Sequence, residues 1–339
     1  MAIVGMGKMG LLHSCIFNGL NESKVVAICE KDKLMASMLN KYLKNIRIYQ
    51  DYEKMLEREN LDGLVITTPV YLHKPIIDRG LKYNLNIFTE KPLALNGGEC
   101  RSILKDKKNC ISMVGYCRRF MHTFKLANEI IESQALGKPI YFNSQLFVSQ
   151  IFKKGKGWLY DPKRSGGGVL IDLGSHAFDI FTYLFGDVYS VHAFAKATFN
   201  SLVEDYAVIN LKFEDNIIGS FQVSWSIRNY RLPELKIKVI LENGTITVTE
   251  KYIDIWSEFE RGKLKKGSNV FYKQDLTKNI AINIGGPEYT QEDQHFLQCI
   301  NEGKNTICSF DEAAKVNFII DAIYSSIISE RVEKVSYGV

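Results

Sequence analysis

Between residues 166 and 183 the sequence sets Asp172, His176, Asp179 and Tyr183 among apolar residues, directly after the run Gly166, Gly167, Gly168. At 100° per residue those four side chains fall on one narrow stripe of a helix over 172–185, opposite Leu173, Ala177, Ile180, Phe181 and Leu184. A solvated helix face ordinarily carries Lys, Glu and Arg. This stripe instead carries two short carboxylates, an imidazole and a phenol. Asp172 and His176 stand at i and i+4 and share a face. An imidazole of near-neutral pKa can accept a hydroxyl proton, and a neighbouring carboxylate can orient it or stabilise the imidazolium. The pattern therefore predicts proton chemistry, with Asp179 bracing His176 or a substrate hydroxyl. The glycines leave room for another group to approach the backbone.

Two other stretches supply complementary chemistry. In "FTEKPLA" Lys91 follows a β-rich run, and ligands of open α/β sheets bind beyond that edge. A lysine there can hydrogen-bond a substrate hydroxyl or carry its proton, although in isolation it also reads as a surface residue in a turn. "GMGKMG" places Gly5, Gly7 and Gly10 in G-x-G-x-x-G spacing, after a strand and before a helix. Such a turn, which here includes Lys8 and Met9, brings amide N–H groups to a pyrophosphate at a helix N-terminus. Glu30, about 20 residues on, ends the second strand, where an acid accepts from the adenosine ribose. That acid favours NAD; Lys31 beside it leaves room for the 2′-phosphate of NADP. Hydride transfer to nicotinamide is the redox partner that an alcohol-deprotonating imidazole needs.

Taken in order, "GMGKMG", "ITTPVYLH" (66–73), "TEKPLA" (89–94), "VGYCRRF" (114–120) and "SGGGVLIDLGSHAFD" (165–179) resemble the Gfo/Idh/MocA oxidoreductases over nearly the whole chain. The resemblance implies a doubly wound Rossmann domain followed by an α/β domain whose open, mostly antiparallel sheet forms the interface of a homodimer or homotetramer. It implies that Lys91 sits between nicotinamide and substrate, that the peptide before Pro92 is cis, and that Thr67, Thr68, Pro69, His73 and Glu90 line the cofactor. His73 also reads as a cap for a helix beginning near Tyr71. Arg118 and Arg119 match the family's basic pair, with Arg119 assigned to the cofactor and a structural salt bridge equally open.

By the same resemblance Tyr116, Lys156, Trp158, Tyr160 and Arg164 approach the substrate, Trp158 offering a flat surface to a sugar ring. His176 is then the proton acceptor, Asp172 its partner, and Lys91 the group holding the reacting oxygen; no metal is called for. The implied activity is NAD(P)-dependent oxidation of a secondary alcohol in a sugar, cyclic polyol or nucleotide sugar. A non-catalytic, sugar-responsive NAD-binding regulator and an NAD-dependent glycosidase are the alternatives. His13, His122, His192 and His295 read as structural or exposed.

The elements that must position these groups follow from hydrophobic rhythm. Strands are predicted at 2–5, 25–29, 46–50, 63–68, 86–90 and 110–116, alternating with helical patterns such as "KDKLMASMLNKYLK" and "YLHKPIIDRGLKYN". That alternation gives a parallel sheet over 1–120. After a helix near 121–135 come seven strand-like runs between 139 and 259 with few helices, a mostly antiparallel sheet in a second domain, 121–339. "FEDNIIG" and "LENGTI" predict hairpins, with Asp215-Asn216 and Asn243-Gly244 supplying the left-handed positions. Two helices close the chain. Ser309 and Glu312 form a capping box on the last, about 310–329, which is expected to pack back on the first domain.

At 339 residues, 46% hydrophobic and 24% charged, the composition is that of a globular protein. A net charge of +5, with one basic loop at "ERGKLKKGSN", excludes a nucleic-acid surface. No apolar run reaches membrane-spanning length, and no signal pattern is present. Seven cysteines without a C-x-x-C pair read as free thiols of a cytoplasmic protein. The first strand begins almost at Met1, so either its edge is short or the start codon is assigned a few residues late.

Overall fold

The computed structural model describes residues 1–107, 109–199, 202–277, 280 and 282–338. The chain divides into two compact units, Met1–Cys117 with Ile280–Ala314, and Arg118–Asn279 with Lys315–Gly338. The sequence predicts a single boundary, at 120; the contacts return 280–314 to the first unit.

In the first unit β1 (Ala2–Val4), β2 (Ala27–Cys29), β3 (Arg47–Tyr49), β4 (Gly63–Ile66), β5 (Asn86–Thr89) and β6 (Ser112–Val114) form one sheet in the order β3-β2-β1-β4-β5-β6. Every pairing is parallel. The connections carry α1 (Lys8–Gly19), α2 (Lys33–Tyr42), α3 (Tyr52–Arg58), α4 (His73–Lys82) and α5 (Gly97–Asp106). Strands β1, β2 and β4 are buried throughout, as helices on both faces of a sheet require. The strand order reverses between β1 and β4, so their C-terminal ends open the crevice in which such sheets bind ligands. Gly5, Thr67 and Lys91 all follow strands at that edge.

The second unit begins with α6 (His122–Glu132), β7 (Pro139–Phe147) and α7 (Pro162–Ser165). A π-helical turn, Leu170–Gly174, runs into α8 (Ser175–Phe185). Then come β8 (Val188–Lys196), β9 (Tyr206–Phe213), β10 (Ile218–Ser224), β11 (Glu234–Leu241), β12 (Gly244–Val248), β13 (Tyr252–Ser257), β14 (Gly267–Tyr272) and α9 (Lys273–Leu276). The closing helices are α10 (Pro287–Glu302), in the first unit, and α11 (Phe310–Ser329), at whose Ala314 the units divide; β15 (Glu333–Lys334) follows. The sheet runs β14-β13-β12-β11-β7-β10-β9-β8-β15, antiparallel except for the pair β7 and β10.

Alternation along these strands buries one face. Phe142 of β7 stacks on Phe185 of α8 at 4.5 Å between ring centroids and lies 4.9 Å from Phe181. Burying a side chain of that size contributes about 1.5–3 kcal/mol, which fixes α8 against the sheet. On the other face Trp256, Tyr141 and Ile218 stand in one cross-strand row. All three are exposed.

Two expectations are corrected. Strand β14 begins inside the predicted basic loop and runs on through residues to which the sequence assigns no element, because its edge position leaves alternate residues exposed and weakens the apolar signal. Of the positions expected to be left-handed, Asn216 is, but Asp215, Asn243 and Gly244 are not. Gly244 is already in β12, where an added Cβ would lie 2.4 Å from the Trp256 carbonyl oxygen.

Candidate active site

The phosphate loop is built by close approach. Gly5 has φ +94°, a left-handed conformation suited to glycine. A Cβ on Gly10 would stand 2.0 Å from the Gly5 carbonyl oxygen, so only glycine lets α1 start that close to β1. Thr67 Oγ donates to the same carbonyl at 2.6 Å, tying the loop to the end of β4. Nothing lies within 4 Å of the place a Gly7 Cβ would take, and α1 starts there with neither a side-chain cap nor an acidic residue in its first turn. An open glycine before uncapped amides at a positive helix end fits a pyrophosphate. Glu30 Oε2 accepts from the Met6 N–H at 2.7 Å and Oε1 from the Asp32 N–H at 2.8 Å. A carboxylate offers about four lone-pair sites, so capacity for ribose hydroxyls remains. Lys8 and Lys31 are exposed, Met9 half-buried, and the buried Thr68 Oγ has no hydrogen-bond partner. These residues fit a dinucleotide.

Lys91 and Pro69 are half-buried at the same strand ends, and the peptide joining Lys91 to Pro92 is cis. His73, expected at the nicotinamide, is buried at the start of α4. Its Nδ1 lies 2.9 Å from the Pro92 carbonyl and its Nε2 2.9 Å from the Thr68 carbonyl. The ring therefore lies between two backbone segments, and its burial, against those hydrogen bonds, lowers its pKa, so that as a neutral imidazole it donates to one of the two carbonyls. Tyr116, expected at the substrate, is only 1% exposed and belongs to the core. His13 is buried, and its ring lies between Asp293 and Glu90. Neither Asp293 nor the role of His13 carries a signal in a single sequence, because the partners lie 280 residues apart.

In the second unit the stripe survives in part. From 167 to 185 every residue is buried except Asp172, His176 and Tyr183. Asp172 lies in the π turn and His176 in the first turn of α8, so the uniform 100° projection does not hold between them. Asp179, expected to brace His176 or a substrate hydroxyl, lies on the buried side of α8. It is buried in an ion pair with Arg119, whose Nη2 lies 2.8 Å from Oδ1 and whose Nε donates at 2.9 Å. The Arg119 guanidinium also lies over the Tyr183 ring, 5.3 Å from its centroid. Arg118 pairs with Glu250 at 3.1 Å, so both arginines serve ion pairs in their own unit.

The glycine run is corrected as well. A Cβ on Gly167 would meet the Tyr324 hydroxyl at 1.8 Å, and one on Gly168 would meet the Glu204 carbonyl oxygen at 2.1 Å. The space is filled by the chain itself rather than left for substrate or nicotinamide. The Glu204 carboxylate accepts from Gly168 and Leu170 N–H at 3.0 Å and from the Tyr324 hydroxyl at 2.9 Å. In the loop before α7, Lys156 is exposed and Trp158 and Tyr160 half-buried; the Tyr160 ring occupies the place of a Gly155 side chain.

A parallel sheet with this glycine loop and acid defines a dinucleotide-binding domain. Models of one family match both halves of the chain: the oxidoreductase family's NAD-binding Rossmann fold at 1–116, and the GFO/IDH/MocA C-terminal domain at 124–247. The chain belongs to the GFO/IDH/MocA family of NAD-binding oxidoreductases. It is 26% identical over 331 residues to scyllo-inositol 2-dehydrogenase (NAD(+)) of Bacillus subtilis (strain 168), covering 93% of this chain and 90% of that protein. It is 24% identical over 234 residues to the myo-inositol 2-dehydrogenase of Thermotoga maritima, covering 65% of this chain and 66% of that one. Levoglucosan dehydrogenase in complex with NADH shares the fold, with a TM-score of 0.90 at 21% identity over 99% of this chain and 98% of that one.

Proposed function

We propose that the protein transfers a hydride between nicotinamide and a secondary alcohol carbon of a sugar, cyclic polyol or nucleotide sugar. Relatives named for inositols and the fold shared with a levoglucosan dehydrogenase support that substrate class. The observation that carries the reading is that Asp172, His176 and Tyr183 alone are only half-buried in an otherwise buried π turn and helix. NAD bound at the glycine loop supplies the hydride acceptor.

His176 takes the hydroxyl proton as the C–H bond breaks, and Asp172 orients the ring and stabilises the imidazolium. Lys91 donates a hydrogen bond to the reacting oxygen and fixes its geometry. Gly5, Gly7, Lys8, Met9 and Gly10 bind the pyrophosphate, Glu30 and Lys31 the adenosine ribose, and Thr67, Thr68 and Pro69 the nicotinamide end. Lys156, Trp158 and Tyr160 contact the substrate from their loop. The test is a panel of polyols, aldoses and nucleotide sugars with NAD and NADP separately, following the reduced cofactor's absorbance. Lys91→Ala and His176→Ala are expected to lower kcat about 10²- to 10⁴-fold on the alcohol that turns over. Full turnover by either variant removes that residue from the mechanism.

We propose further that the protein works in the cytoplasm, where its free cysteines stay reduced. No helix among the described residues is long and apolar enough to cross a membrane. The exposed row of Tyr141, Ile218 and Trp256 supports assembly as a homodimer or homotetramer through the large sheet. Sedimentation velocity tests this: a Trp256→Lys variant with the wild-type assembly state would refute it.

A further inference from the structure

The segment Glu90-Lys91-Pro92 is held from both sides by buried imidazoles. On one side His13, in the second turn of α1, is completely buried. Its Nδ1 lies 2.9 Å from Asp293 Oδ1 on α10, and its Nε2 lies 3.1 Å from Glu90 Oε1. The other Glu90 oxygen, Oε2, accepts from the Lys91 N–H at 3.1 Å. Past Lys91, the Pro92 carbonyl meets the His73 ring. A continuous set of polar contacts thus runs from α10 through α1 to the main chain of Lys91.

His13, Glu292 and Asp293 stand close enough to hold a cation. Both ring nitrogens of His13 face carboxylates, however, which is the arrangement of an imidazolium in an ion network rather than of a metal ligand. Burial alone would lower the His13 pKa; Asp293 and Glu90 more than reverse that and hold it well above its ordinary value. Burial would raise Glu90, but His13 and then Lys91 outweigh it and hold the carboxyl below its ordinary range. The other groups facing the ring are Phe17, Phe88 and the Tyr289 ring, which lies edge-on at 6.4 Å.

Buried ion networks add little stability over an apolar core of the same shape, and they matter chiefly where they fix one geometry. We propose that His13, bridging Asp293 and Glu90, is a positioning residue for Lys91. The inference rests on the reading of Lys91 above. A group that must hold a reacting oxygen is effective only within a few tenths of an ångström of its productive place. Anchoring Glu90 to two helices gives the loop after β5 the rigidity that a free turn lacks.

The test compares His13→Gln, Glu90→Gln and the double variant with wild type. It uses hydrogen exchange of the free protein, equilibrium NADH binding, and steady-state turnover of the alcohol identified by the panel. Expected is faster exchange confined to peptides covering 86–95, with kcat lowered at least about 10-fold and the NADH Kd changed less than about 3-fold. The double variant is expected to fall no further than the worse single variant, because both substitutions cut one network. Loss of exchange protection across all strands of the first sheet would overturn the proposal. So would kcat and NADH affinity falling by the same factor, or losses that multiply. If His13→Gln does not fold, Glu90→Gln, whose side chain is 12% exposed, decides by the same criteria. Lys91→Ala is measured alongside. If it keeps full turnover the mechanistic reading fails, whereas its inactivity beside an unaffected His13→Gln rejects the positioning role alone.

Discussion

Two glycine triplets, Gly5-Gly7-Gly10 and Gly166-Gly167-Gly168, differ in what meets them: the first holds one glycine facing open space, whereas Gly167 and Gly168 of the second both face the protein itself. In the first, Gly5 and Gly10 let backbone meet backbone, while the position of a Gly7 side chain faces open space. In the second, the space left by Gly167 is taken by Tyr324 and that left by Gly168 by Glu204. A glycine announces that something comes close. Only the structure says whether that something is a ligand or the protein itself.

The largest effects expected from this comparison fall where the neighbour is backbone. Gly168→Ala puts a methyl 2.1 Å from the Glu204 carbonyl oxygen, and Gly10→Ala puts one 2.0 Å from that of Gly5. Neither neighbour can rotate away. Each substitution is expected to destabilise its unit by about 3 kcal/mol, read as a lower urea midpoint. A midpoint within experimental error of wild type in either variant would show that the loop relaxes freely.

A smaller effect is expected at Glu204, which fills the space left by Gly168. Its burial, against the N–H and hydroxyl donors around it, raises its pKa above the ordinary 4.5. The folded state therefore binds a proton more readily than the unfolded chain. Stability must fall as pH rises from about 4.5 through the folded-state pKa, the window in which Glu204 ionises in the native protein. Glu204→Gln is expected to remove that part of the pH dependence while keeping the Tyr324 contact. Urea midpoints measured across the window would contradict this if wild type and variant had parallel slopes.

What is legible in the sequence follows the same division. The strands and crossovers of the first sheet are readable because burial on both faces leaves continuous apolar runs such as "GLVI". The glycine loop is readable because its spacing and its place between strand and helix are local. Asp172 and His176 are readable as a pair that breaks the pattern of their helix. His13 with Asp293, Arg119 with Asp179, and Glu204 with Tyr324 are not, since each is a contact made by tertiary packing. Asp179 shows the limit most sharply: its helical position places it near the stripe, but a buried arginine from 60 residues away claims it. The π turn is equally invisible, because nothing in 3.6-residue periodicity marks the place where one extra residue enters.

The smallest expected change in stability is the one that most sharpens the comparison. Gly7 has φ −67° and ψ −167°, a backbone that alanine adopts without strain, and its added Cβ would touch nothing. Gly7→Ala is therefore expected to lower stability by no more than about 1 kcal/mol, read from the urea midpoint, the amount by which alanine falls short of glycine at a helix N-cap. The same methyl occupies the space through which a pyrophosphate would approach the first amides of α1. NADH binding, followed by cofactor fluorescence, is expected to weaken at least about 10-fold, or about 1.4 kcal/mol. A stable variant with wild-type NADH affinity would mean that Gly7, like Gly167 and Gly168, serves the fold alone, and the contrast between the two triplets would collapse. Weak binding in a folded protein would separate the ligand's glycine from the protein's own.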